Sequence, residues 1–128
     1  MKKVLSLVVT VAFSLTLCSQ IWIQPGEAKT HKGDTVSIIG FITSVKQSTN
    51  REGSPTLMCL KTNDSKHPLV LFVANADRGK FKKAPEIEYL NQYVQVTGLV
   101  RLYKGIPEII LYSDDQIAIA RDAAPEEE

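Results

Sequence analysis

Between Tyr93 and Tyr112 the side chains alternate in character residue by residue. Val94, Val96, Gly98, Val100 and Leu102 fall on one face of an extended chain, and Tyr93, Gln95, Thr97, Leu99, Arg101 and Tyr103 on the other. A period of two is the mark of a strand with one buried face. Lys104-Gly105 supplies a two-residue turn, because glycine takes positive φ without a Cβ clash, and Ile106 to Tyr112 forms the return strand. Pro107 has no N–H to donate, which confines it to the first residues of that strand or to an unpaired edge. Upstream, Asp34 to Lys46 sets Val36, Ile38, Gly40 and Ile42 against Ser37, Ile39, Phe41 and Thr43, a long strand with a glycine where it bends. The polar stretch Gln47 to Ser54 is a loop, Pro55 to Thr62 a second strand, Asn63-Asp64-Ser65 a turn, and Leu69 to Ala74 a third strand. Asn75 to Leu90 breaks the alternation with charge, Gly79 and Pro85; it predicts a loop followed by a short helix starting at Pro85. Asp114-Asp115 turns the chain into a last apolar segment, Gln116 to Ala120. The fold class expected from this order is all-β with a little helix. It is a five-stranded Greek-key barrel with a helix between strands three and four and a kinked first strand.

The first 28 residues read differently. Lys2-Lys3, the apolar run Val4 to Leu17 and the polar end Gly26-Glu27-Ala28 are the three parts of an export signal, with the cut expected between Ala28 and Lys29. An uncleaved anchor is the alternative, but a run of 14 residues is short against the ~20 that span a bilayer. Lipidation at Cys18 is another, and there Leu17 stands where a lipobox wants a small residue. The expected organisation is a signal peptide over 1–28, one domain over 29–120 and an acidic, disordered tail over 121–128, with no membrane span after cleavage. The 100 residues left from 128 suffice for one core. Removing Lys2, Lys3 and Glu27 from 15 basic and 14 acidic residues leaves 13 of each, so the mature chain is neutral and is not a strongly basic nucleic-acid binder. The tail holds Arg121, Asp122, Glu126, Glu127 and Glu128, which leaves the domain with 12 basic and 9 acidic residues, net +3. Once Cys18 departs, Cys59 is the one remaining thiol, in the apolar pattern of the second strand, and the domain has no internal disulfide.

The strand and helix order is also that of an OB-fold. Three segments carry a closer resemblance: Tyr89-Leu90-Asn91-Gln92-Tyr93-Val94-Gln95-Val96-Thr97-Gly98, then Tyr103-Lys104-Gly105-Ile106-Pro107-Glu108-Ile109-Ile110-Leu111, then Asp115-Gln116-Ile117. Together they resemble the small bacterial OB modules of the tRNA-anticodon-binding-like nucleic-acid-binding group, modules that also occur fused to secreted thermonuclease-like proteins. The resemblance covers roughly Gly33 to Ile119. The chain departs from the fused forms in having no nuclease domain. The resemblance implies that a ligand lies across strands two and three, between the first loop and the loop joining strands four and five. Reading those regions gives Lys46, Asn50 and Arg51 around the first loop, Lys61 in strand two, Lys66 and His67 in the second loop, and Arg101, Tyr103 and Lys104 at the hairpin tip.

Cations along phosphates and flat side chains under bases are what single-strand binding needs. The expected ligand-binding residues are Lys46, Arg51, Lys61, Lys66, Arg101, Tyr103 and Lys104. Phe72 and Tyr112 stand either as further stacking rings or as a core residue and an ordinary cross-strand residue. Catalysis finds no support. Adjacent Asp114 and Asp115 on a turn point apart, His31 and His67 have no orienting companion, Cys59 has no histidine partner, and neither zinc spacing nor a phosphate-holding glycine loop occurs. No cofactor and no metal are expected. The expected ligand is single-stranded DNA or RNA, or nucleotides, bound by an exported module, periplasmic or secreted, with a protein partner in the cell envelope as the alternative.

Overall fold

The computed structural model describes residues 21–62 and 68–120. Lys66, His67, Cys18 and the acidic tail lie outside the described residues. Among the described residues there are seven strands: β1 (Ile21–Trp22), β2 (Thr35–Gln47), β3 (Thr56–Leu60), β4 (Leu69–Val73), β5 (Tyr93–Tyr103), β6 (Ile106–Leu111) and β7 (Ile117–Ile119). The five expected strands are β2 to β6. The count is corrected by β1, which adds in parallel to the outer side of β2, and by β7, which adds antiparallel to β5. Both are too short to show a period of two, so alternation alone does not reveal them.

β2 is the long bent strand, and its bend closes the sheet. Its first half pairs with β5, from Thr35 opposite Leu99 to Phe41 opposite Tyr93. Its second half pairs with β3, from Ile42 opposite Leu60 to Gln47 opposite Thr56. Gly40 sits at the handover, where a Cβ would come 2.6 Å from Leu60 Cδ2. From β3 the pairing runs antiparallel to β4, parallel to β6 and antiparallel to β5, which returns to β2, so the pairings form a closed ring. Inside it Ile38, Ile42, Met58, Leu71, Val96 and Ile109 are each 0% exposed. The connection after β4 carries a 3-10 turn, Asn75–Lys80, and the expected helix α1, Pro85–Glu88. From it Phe81 and Tyr89, each 6% exposed, cap the core. Arg78 fastens this connection to the ring by donating to Thr56 Oγ1 at 2.7 Å and pairing with Glu86, whose carboxyl that hydrogen bond holds below the usual carboxylate range.

The segment ahead of β2 belongs to the same packing unit. Ile23 and the fully buried Ala28 are members of the core, Ile23 N–H donates to Ser37 O at 3.1 Å, and Pro25–His31 forms a 3-10 turn against the ring. Residues 21–28, read from the sequence as the end of a leader, thus pack in the domain.

Candidate nucleic-acid interface

The β5–β6 hairpin turns through Lys104 at φ 52° and Gly105 at φ 82°, two left-handed residues in succession that match the twist of the strands they join. The alternation of β5 puts Arg101 and Tyr103 on its outer face, and register puts Arg101 opposite Glu108 on β6. Glu108 in turn lies beside Val70 of β4. Phe72, two residues on from Val70, stands on the same outer face, half-buried. Its place there settles one reading left open by the sequence, since the core positions of β4 are Leu69, Leu71 and Val73.

Arg51 arrives from the other side. The loop between β2 and β3 is braced by Ser48, whose Oγ accepts the N–H groups of Asn50 and Arg51 at 3.3 and 3.2 Å, and by Ser48 N–H donating to Pro55 O at 2.7 Å. These bonds aim Arg51 across the face toward the hairpin. Its guanidinium donates to Glu108 Oε2 at 2.5 Å, while Arg101 donates to Oε1 through Nε at 3.2 Å and Nη2 at 3.1 Å. Glu108 is 2% exposed, a carboxylate buried beneath two arginines rather than in the core. Each guanidinium also lies on a ring. Arg51 Cζ is 3.5 Å from the Tyr103 centroid and 5.0 Å from that of Phe72; Arg101 Cζ is 4.4 Å from Phe72, and Lys104 Nζ is 5.5 Å from Tyr103. Cations held over aromatic faces at these distances attract the ring quadrupole.

Of the seven residues expected at the site, this cluster brings together Arg51, Arg101, Tyr103 and Lys104. Lys46 stands at its margin, exposed and opposite Leu57, which pairs with Phe72. Lys61 is elsewhere. It lies at the far end of β3 on a separate groove of about 440 Å³ lined also by Pro25, Phe41, Thr62 and Tyr93, with the rings of Phe41 and Tyr93 edge to face at 5.2 Å. Lys66 falls outside the described residues. Glu108 and Phe72 are the two members that sequence reasoning leaves out of the set. Tyr112 is exposed, and its N–H donates to Gln116 Oε1 at 2.6 Å. His31 pairs with Asp34, Asp114 accepts from Lys82 N–H, and no cluster of three metal-ligating side chains occurs among the described residues.

No family model matches the chain, and no curated protein matches it in sequence. Solved structures do. It is similar to an aspartyl tRNA synthetase from Entamoeba histolytica, with TM-score 0.54 and 15% identity over 77% of this chain and 21% of that one. It is similar to the Stn1-Ten1 complex of S. pombe, with TM-score 0.51 and 19% identity over 69% of this chain and 59% of that one. It is similar to the OB domain of Ta0387 from Thermoplasma acidophilum, with TM-score 0.50 and 16% identity over 86% of this chain and 95% of that one. The chain thus spans about a fifth of the synthetase but nearly the whole of the isolated domain. Taken with the strand order, these likenesses show that the described residues form an OB fold.

Proposed function

We propose that the chain is an exported, non-catalytic OB-fold module that binds single-stranded nucleic acid, its closed ring being the Greek-key barrel of that fold. One observation carries this reading: Arg51, Arg101, Lys104, Phe72 and Tyr103 converge on one face, between the two loops that frame an OB ligand. Backbone phosphates and unstacked bases are what such a mixture of cations and rings serves. Lys104 adds a second support. It holds a left-handed conformation that asparagine or glycine would adopt with less strain, and strain of this kind collects at functional positions. Export rests on Lys2-Lys3 and the apolar run that follows.

A protein-interaction module is the second reading, favoured by a different surface. On the face made by β1, β2 and β5, Trp22, Tyr93 and Leu99 are 50%, 42% and 42% exposed, an apolar area away from the cations. Fluorescence anisotropy with labelled single-stranded and duplex oligonucleotides, at low and moderate salt, separates the two. Nucleic-acid binding requires preference for the single strand and affinity that falls with salt. Absence of binding at low salt leaves the protein partner.

A further inference from the structure

We propose that Glu108 is a positioning residue: through Arg51 it fixes the Tyr103 ring as a platform for an unpaired base. The inference rests on the nucleic-acid reading and says how that site is built. A buried carboxylate under two arginines gives no more stability than apolar side chains of the same volume would, and the residues around Glu108 on both strands, Val70, Ile109 and Ile110, are apolar. What the carboxylate supplies is geometry. Its two oxygens are divided, Oε2 to Arg51 and Oε1 to Arg101, and the division holds each guanidinium over a ring. Arg51 comes from a loop 57 residues earlier, so the bond also ties that loop to the hairpin.

Exposure distinguishes the roles of the cations. The Arg51 side chain is 16% exposed against 39% for Arg101. At 3.5 Å from the Tyr103 centroid, Arg51 occupies one face of the ring at stacking distance and leaves no room for a base there. A base therefore stacks on the other face. Lys104, exposed and on a flexible stem, is free to move aside and meet a phosphate. Arg51 thus backs the platform without touching the nucleic-acid backbone.

The test uses a labelled oligothymidine and the variants Glu108→Gln, Arg51→Gln, Arg51→Lys and Lys104→Gln, each checked for cooperative unfolding. The first three are expected to weaken binding roughly five- to twentyfold, part of one stacked base, with the salt dependence unchanged. Arg51→Lys belongs with them because an ammonium keeps the charge but cannot lie flat and bridge. Lys104→Gln is expected to flatten the slope of log affinity against log salt by about 0.7. Three results would overturn the proposal: Arg51→Gln flattening the slope as Lys104→Gln does, Glu108→Gln binding more tightly than the parent, or Arg51→Lys binding as well as the parent. A ligand-free measurement keeps this separate from the nucleic-acid reading itself. In NMR spectra the Arg51 side-chain protons are expected upfield, under the Tyr103 ring current, and to return to ordinary positions in Glu108→Gln. If they stay upfield, Glu108 does not position Arg51, whatever the oligonucleotide does; if the parent shows the shift but no binding, the nucleic-acid reading fails while the linkage stands.

Discussion

Replacing Arg101 with alanine removes two donors from a carboxylate that has almost no access to water. The Glu108 side chain is 3% exposed, and Arg101 supplies the Nε and Nη2 contacts to its Oε1. Hydrogen bonds to a charged group contribute roughly 1.5–3 kcal/mol, and the exposure of Arg101 puts this one near the lower end. The guanidinium 4.4 Å from the Phe72 centroid adds about 0.5–1 kcal/mol. Arg51 still holds Oε2, so the carboxylate is not stranded altogether. Arg101→Ala is expected to cost about 2–3 kcal/mol in urea unfolding followed by circular dichroism. The reasoning is specific about why: most of the loss is a half-satisfied buried charge. Glu108→Gln removes that charge, so adding it to Arg101→Ala is expected to recover about 1–2 kcal/mol relative to the sum of the single changes. Additive losses would refute the argument, showing that Arg101 acts through its own packing and not through Glu108.

Gly105→Val puts a β-branched residue at φ 82° and is expected to lower stability by about 1–2 kcal/mol, read as a shift of the urea midpoint. Tyr89 is pushed up to about 12 from an ordinary value of 10, first by burial and then by the nearby Asp114 and Glu88 carboxylates. A raised value means the folded state holds the proton more tightly, so its contribution is complete below pH ~10 and is lost between ~10 and ~12. Over that window the parent is expected to lose up to about 2–3 kcal/mol more than Tyr89→Phe, and parallel pH curves would dispose of the idea. The third concerns export: because Ile23 and Ala28 are core residues, processed protein is expected to begin at or before Ile21, and an intact mass starting at Lys29 would count against it.

Much of the architecture was legible because it is written in local chemistry. The alternation of Tyr93 to Tyr103, the turn at Lys104-Gly105 and the glycine at the bend of β2 each report a backbone requirement within a few residues of themselves, and the structure has a strand, a turn and a bend there. What escaped were the parts that depend on distant pairing. Ile21-Trp22 becomes a strand because β2 offers an open edge, and nothing in Ile21-Trp22-Ile23 announces it; beside an apolar leader the same three residues read as its continuation. Ala28 was likewise equivocal. A small residue after a proline and a glycine suits a protease's −1 position as well as it suits close packing against a sheet, and here it is fully buried.

The site divides along the same line. Arg101, Tyr103 and Lys104 could be grouped from the sequence, since a strand's alternation and a tight turn place them together. Arg51 could be nominated only from the fold resemblance. Glu108 could not be found at all, because in Ile106-Pro107-Glu108-Ile109 it falls where a hairpin's outer face wants a charged residue, and a solvated glutamate satisfies that pattern. The two-residue turn already sets Arg101 opposite Glu108, but the glutamate's meaning comes from two contacts that sequence spacing does not encode: the parallel pairing that brings Val70 and Phe72 alongside, and the loop that delivers Arg51. Net charge misleads for a related reason. A chain close to neutral argues against a nucleic-acid binder only if its charges are evenly spread, whereas here Arg51, Arg101 and Lys104 meet on one face with Glu108 as the one carboxylate among them, and Lys46 at the margin. That leaves a local excess of positive charge where a ligand would approach, and it is the local field rather than the total that steers a polyanion.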